Sequence, residues 1–119
     1  HKRAVRLKDT SLLKVGRHFR FGSNKIIVGR NEIENKLLLS LKAPDDYYFE
    51  VPDCGSPTTI LQGRKSSEAI RIAASLTARY SDAKGENVQV AYGTGRSKKT
   101  LTVTPLLNEY VDKLRVAWR

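Results

Sequence analysis

The chain has 119 residues with 22 Lys and Arg against 12 Asp and Glu, a formal net charge of +10; that length matches one domain of about 100–200 residues and excludes a second full one. Hydrophobic residues make up 39% and charged residues 29%, yet apolar positions recur with a period, which argues against disorder, and no run approaches the roughly 18–20 apolar residues of a membrane span. One cysteine and two histidines allow neither an internal disulfide nor a zinc site, so no metal, no cofactor and a cytoplasmic location are expected. The chain lacks Met and opens on His1, which leads us to expect a piece of a longer protein or a start on a tag remnant.

Residues 1–11 are cationic, without a period at their start, and read as a basic arm or linker; residues 12–119 read as a single domain. Leu12–Val15 and His18–Phe21 are short extended runs split by Gly16, and a Gly22-Ser23-Asn24 turn joins them to Lys25–Val28 as a hairpin. Asn31 then stands at an N-cap position with Glu34 three residues on, the spacing of a capping box. A helix is predicted over 32–41, with Ile33, Leu37, Leu38 and Leu41 as its inner side, Glu32, Asn35 and Lys36 toward rim or solvent, and Pro44 as a stop.

Tyr47–Val51 alternates as a strand with Tyr47, Phe49 and Val51 on one face and Tyr48 and Glu50 on the other. The segment 52–57 reads as a turn and Thr58–Gln62 as a strand closed by Gly63. Ser66 or Ser67 caps the longest predicted helix, to about Tyr80. Its inner stripe is Ala69, Ile72, Ala73, Leu76 and Tyr80, and Arg71, Ser75 and Arg79 form a polar face. Val88, Val90 and Tyr92 alternate as a strand, the basic loop GTGRSKK follows, and Leu101 and Val103 lie in a partner strand. A short helix over 106–114 carries Leu107, Tyr110, Val111 and Leu114 inward. The strands cluster in pairs, which predicts an α+β domain: a largely antiparallel sheet of about six strands, two main helices and a short C-terminal helix.

The charge lies in blocks. Residues 1–30 hold nine basic residues against Asp9, a balance of +8; residues 31–63 hold two against six acids, −4; residues 64–100 hold eight against three, +5; the remainder adds +1. Two basic blocks around an acidic middle suit an anionic partner such as nucleic acid. The motifs of small-molecule chemistry fail. Gly63-Arg64-Lys65-Ser66 lacks the Gly before Lys and the earlier Gly of a P-loop, and Gly29 belongs to no G-x-G-x-x-G. Cys54, beside Asp53, lacks the cationic surroundings of a reactive thiolate. His18 is flanked by cations, with only His1 besides, so no catalytic triad can be built. Asp45, Asp46, Glu50 and Asp53 fit solvated turns and strand ends better than an acid/base or Mg²⁺ pair. No catalytic residue is assigned. The functional candidates are cations: Arg30 with Asn31 on a phosphate, Arg71 and Arg79 on a helix face, and Arg96, Lys98 and Lys99 on a hairpin tip. Tyr48 or Tyr92, if exposed, would stack on an unpaired base; core packing is favoured for Tyr92.

Four segments, IIVGRNEIENKLLL, APDDYYFEVPDCGSPTTIL, EAIRIAASLTARYSDAK and the VQVAY strand, taken in that order, resemble the RNA-binding domain called NFACT-R. Gly29, Arg30, Asn31, Asn35 and Leu38 match its G-R-N-x-x-x-N-x-x-L helix start, and Asp46, Phe49 and Val51 its next strand. Gly55 and Ser56 match the following turn, and Ala73, Ala74, Ala78, Tyr80 and Ser81 its A-A-x-x-A-x-Y-S helix. Glu50 stands where members often carry His, and the pattern calls for no Cys54, so no role is carried onto either.

The resemblance spans about residues 12–104. In one context such domains belong to ribosome quality-control proteins that engage tRNA. In another, a variant domain is appended to PP-loop proteins similar to ATP-dependent tRNA 2-thiouridylases, and the LLKVGRHFRF lead-in looks more like this second context. The resemblance implies a tRNA-binding module, itself no enzyme, and the residues expected to hold tRNA or another structured RNA are Arg30, Asn31, Asn35, Arg64, Lys65 and the Arg96–Lys99 loop. Its other partner would be an upstream catalytic domain bearing the S-G-G-x-D-S motif, which these residues lack. The rival is a protein-contact domain in a ribosome-associated or translation factor, using the acidic 45–53 segment. The sequence leaves the oligomeric state open.

Overall fold

The computed structural model describes residues 15–95 and 98–115; the expected arm over 1–11, the run from Leu12 and Arg96 at the hairpin tip lie outside them. Six strands form one sheet: β1 (Arg17–Phe21), β2 (Asn24–Val28), β3 (Tyr47–Glu50), β4 (Thr59–Gln62), β5 (Val88–Gly93) and β6 (Lys98–Val103). Their spatial order is β1-β2-β4-β3-β5-β6, with antiparallel pairing throughout. Three helices join them: α1 (Glu32–Leu41), α2 (Ser67–Arg79) and α3 (Asn108–Leu114). The α+β class and strand count expected from the sequence hold.

The alternation of side chains sorts the sheet into unequal faces. One carries Phe19, Ile26, Val28, Leu61, Phe49, Val90 and Val103, buried under Ala69, Ala73, Ala74 and Leu76 of α2 and Val111 of α3. A wholly buried phenylalanine such as Phe49 contributes about 1.5–3 kcal/mol, so this layer carries most of the apolar stabilisation. It also holds one polar joint. Thr77 Oγ1 lies 2.7 Å from the Ala73 carbonyl and 2.8 Å from Thr59 Oγ1. A hydroxyl has one proton, so Thr77 donates to Ala73 and Thr59 donates to Thr77, tying helix to strand with no buried side-chain polar atom left unpaired among the described residues.

The other face offers α1 only Ile27 and Ile60, packed with Leu38 and flanked by Val15, Leu41 and Tyr48. This corrects the expected inner stripe: Leu38 is buried and Leu41 half-buried, but Ile33 and Leu37 are exposed. The helix sits on a mostly polar sheet face with apolar partners for one turn. Asn35, expected toward the rim, instead accepts the Thr58 backbone N–H at 2.9 Å. Two further expectations fail. Ser75, expected on the polar face of α2, is buried, its carbonyl accepting from Leu106 N–H. In the C-terminal helix Val111 is buried while Leu107 and Tyr110 remain exposed.

The junction of β2, α1 and β4 is a tight latch. Gly29 N–H donates to the Thr58 carbonyl at 2.9 Å, and Thr58 N–H donates back to Asn35. A Cβ on Gly29 would fall 2.1 Å from Asn35 Oδ1, so the absence of a side chain is a matter of space. Asn35→Ala leaves the buried Thr58 N–H unpaired and is expected to cost about 1–3 kcal/mol in chemical denaturation. Gly29→Ala expels the same amide and is expected to cost a similar amount. The double variant is expected to be little worse than either single one, because both remove one bond.

Candidate nucleic-acid interface

Strand direction decides which cations meet. The pairs Tyr48↔Gly93, Tyr47↔Leu61 and Lys25↔Gln62 place the start of β3, the ends of β4 and β5 and the start of β2 at one end of the sheet. Gly93 at the end of β5 and Lys98 at the start of β6, the Phe21–Asn24 turn and the Gly63–Lys65 segment therefore share that end with the N-terminus of α2. This collects Arg20, Lys25, Arg64, Lys65, Arg71, Lys98 and Lys99 from both basic blocks. Arg20 and Lys25, opposite each other in the first hairpin, were not singled out from sequence; only the two-residue turn and the strand order bring them here.

A buried amide positions the segment. Asn24, 6% exposed, donates from Nδ2 to the carbonyls of Gln62 at 3.0 Å and Arg64 at 2.8 Å. Gly63 between them has φ +101°, a left-handed conformation that glycine adopts without strain. The chain thus leaves β4 in one direction, with Arg64 exposed and Lys65 Nζ 5.4 Å from the Tyr47 ring centre. The Tyr47 and Tyr92 rings are 5.9 Å apart, and Tyr92 stacks on Phe49 at 5.4 Å and 13°. The core packing expected for Tyr92 is present, but the residue is only half-buried and borders a slot shared with Arg71. Lys99 lies directly across from Tyr92 on β6.

The remaining candidates lie at the other end of the sheet or, in the case of Lys98, share this end but have a carboxylate partner. Arg30 is held by Glu34 through its backbone N–H at 2.9 Å, Nε at 3.0 Å and Nη2 at 2.7 Å, so its charge is matched within the protein. Asn31 caps α1, accepting Glu34 N–H at 2.9 Å, and Asn35 serves the Thr58 latch, both at the opposite end of the sheet. Arg79, in the last turn of α2, bonds the Asn108 amide. Lys98 turns to the α1 side, bonded to Glu50 at 3.2 Å with Nζ 5.7 Å from the Tyr48 ring centre; that bond favours its charged form. Among the described residues, no carboxylate pairs with Arg20, Lys25, Arg64, Lys65, Arg71 or Lys99. The nearby acids are few: Asp45 and Glu68 are exposed, and buried Asp46 accepts Ala43 N–H. The acidic 45–53 segment therefore presents no single face, since Asp46 points inward, Glu50 holds Lys98, and Asp53 lies beyond the far end of β3.

His18 is buried, with its ring Nε2 2.9 Å from the Val15 carbonyl. Cys54 is exposed. Among the described residues no group of three His, Cys, Asp or Glu is placed to hold a metal, and no helix is long and apolar enough to cross a membrane.

Residues 16–115 match the model of the NFACT protein RNA binding domain. The chain belongs to that family. RNA is therefore the ligand class of the domain. The fold also matches a solved chain described as the C-terminal of the fibronectin/fibrinogen-binding protein from Streptococcus suis, with a TM-score of 0.80 and 21% identity over 98% of this chain and 52% of that one. The chain thus spans about half of that relative. No curated protein matches the sequence.

Within this NFACT-type domain the Arg30–Glu34 pair makes stability depend on acid. The bonds from the Arg30 guanidinium, against some desolvation, bring the Glu34 carboxyl down to about 2 from 4.5. A lowered folded-state value means stabilisation present above pH 4.5 and lost as the pH falls from there toward 2. Glu34→Gln is expected to be less stable at neutral pH by about 1–2 kcal/mol, a figure discounted for the exposure of Arg30. The gap should close across that acid window in denaturant titrations, whereas a gap constant from neutral to acid pH would show that the pair does not stabilise the fold.

Proposed function

We propose that this domain binds tRNA and holds it for a modification enzyme of the 2-thiouridylase type carried elsewhere in the parent protein, in the cytoplasm and with no cofactor of its own. The observation that carries the reading is the collection of Arg20, Lys25, Arg64, Lys65, Arg71 and Lys99 at one end of the sheet, without carboxylate partners among the described residues. Cations set at strand ends and turns can follow a folded phosphate backbone, and they supply affinity and register without reading sequence. The LLKVGRHFRF lead-in supports the thiouridylase context. The second reading, a protein-contact module, is favoured by the exposed Ile33, Leu37 and Leu39 on α1. The two are compatible, since a module that presents tRNA must also dock on the part that modifies it.

Titration of tRNA at several salt concentrations tests RNA contact at this end. Log K is expected to fall steeply and linearly with log salt as counterions are released. Lys65→Ala, Arg71→Ala and Lys99→Ala should each lower the slope by about one unit, whereas Arg30→Ala should leave it nearly unchanged. An equal effect of all four, or no binding at low salt, would refute the assignment. Loss of 2-thiouridine from the tRNA of cells lacking the parent gene, read by mass spectrometry, tests the enzymatic context separately.

A further inference from the structure

The slot bordered by Tyr92 is a site that charge alone does not explain. It has a volume of about 270 Å³ and lies between the N-terminal half of α2 and the β5–β6 hairpin, with Tyr92 and Leu101 as floor and Ser67, Glu68, Ile70 and Arg71 as wall. We propose that it receives one unpaired nucleobase of the bound RNA, with the adjoining phosphate on Arg71 and Lys99; the inference rests on the RNA-binding reading above.

Four observations carry it. The volume lies below the about 300–1,000 Å³ of drug-sized ligand sites, which suits a single base better than a complete cofactor. The floor is apolar and aromatic, and the Tyr92 ring is held by the Phe49 stack and by Tyr47, so a stacking surface exists before binding and little ordering cost remains. Arg71 stands on the wall and Lys99 opposite Tyr92 on the adjoining strand, so cations flank the slot. Glu68 repels phosphate and accepts hydrogen bonds, which turns the base inward and the backbone toward the cations. Tyr48 is less suited, because Lys98 lies over its ring and is itself bonded to Glu50. Bases inside a duplex are stacked on one another and cannot enter such a slot, so the favoured RNA has a loop, a bulge or a single-stranded end.

The test compares a short single-stranded oligoribonucleotide with a counterpart of equal charge whose central residues are abasic, measured by fluorescence anisotropy on the 119-residue protein. The base-bearing strand is expected to bind about tenfold more tightly. Ser67 is exposed, so Ser67→Tyr adds bulk at the slot without removing a core contact. It is expected to erase that difference while leaving the affinity for the abasic strand and the salt slope intact. Ser67→Ala, which keeps the slot open, should preserve the difference. Equal binding of the two strands, or a difference that survives in Ser67→Tyr, overturns the proposal while leaving RNA binding in place. Failure of both strands to bind at low salt overturns the RNA reading itself. Displacement by an acidic peptide with an apolar anchor, without any gain from bases, assigns the slot to protein and also overturns the proposal.

Discussion

The four residues of β3 hold this sheet together. β3 pairs with β4 on one side and β5 on the other, so it alone joins the three-stranded half β1-β2-β4 to the β5-β6 hairpin. Its register has two consequences. Phe49 meets Tyr92 across the strand boundary and becomes wholly buried, linking the two halves of the apolar layer. Tyr47, two residues earlier on the same face, then lies beside Tyr92 at the end where the basic turns emerge. A slip of one residue would exchange the faces, moving Phe49 to the polar side and Glu50 to the core. The core and the interface therefore depend on the same pairing.

Several of the residues that carry the family resemblance hold the fold together. Gly29, Asn31 and Asn35 form the α1 latch and cap, and Arg30 satisfies Glu34. At the turn between β3 and β4, Ser56 Oγ accepts Val51 N–H and Gly55 lies where a Cβ would meet the Asp82 carboxylate at 2.3 Å. These bonds close the end of the sheet remote from the basic turns. A motif of glycines and short polar residues reads as a phosphate cradle because the same groups make both. Here the Thr58 carbonyl takes the Gly29 N–H and the Glu34 carboxylate takes the Arg30 donors that a phosphate would need.

Local signals were legible and remote ones were not. The start of α1 followed from the Asn31 cap, and that of α2 from the Ser66-Ser67 pair, of which Ser66 is the cap, because capping is settled within four residues. The faces of β3 followed from its alternation. The burial of α1 did not, since its i, i+4 apolar spacing cannot reveal that the sheet beneath offers only Ile27 and Ile60. Ser75 read as solvated because the covering 104–107 segment is distant in sequence, and Asn24 read as a turn residue although its amide clamps a segment some forty positions on. The interface was half legible: Lys65, Arg71 and Lys99 stand out as cations in the second basic block, while Arg20 and Lys25 join them only through strand order.

Charge pairing sorts the cations further. Arg30, Lys36 and Lys98 each have a carboxylate partner, and two of the three pairs link residues four apart on or beside α1. Such pairs add modest stability and reduce the field available to a ligand. Arg20, Lys25, Arg64, Lys65 and Lys99, which lack such partners among the described residues, lie on strands and turns with no helical i+4 neighbour to neutralise them, Arg71 on α2 has Ser75 and no carboxylate four residues on, and antiparallel order concentrates the group at one end. The two ion pairs at α1 cancel locally, so the net charge of +10 is carried by cations elsewhere, and the basic end of the sheet holds a concentrated share of it that suits an anionic partner. A slot with an aromatic floor among those cations offers what a phosphate backbone cannot use alone, a contact for the base itself.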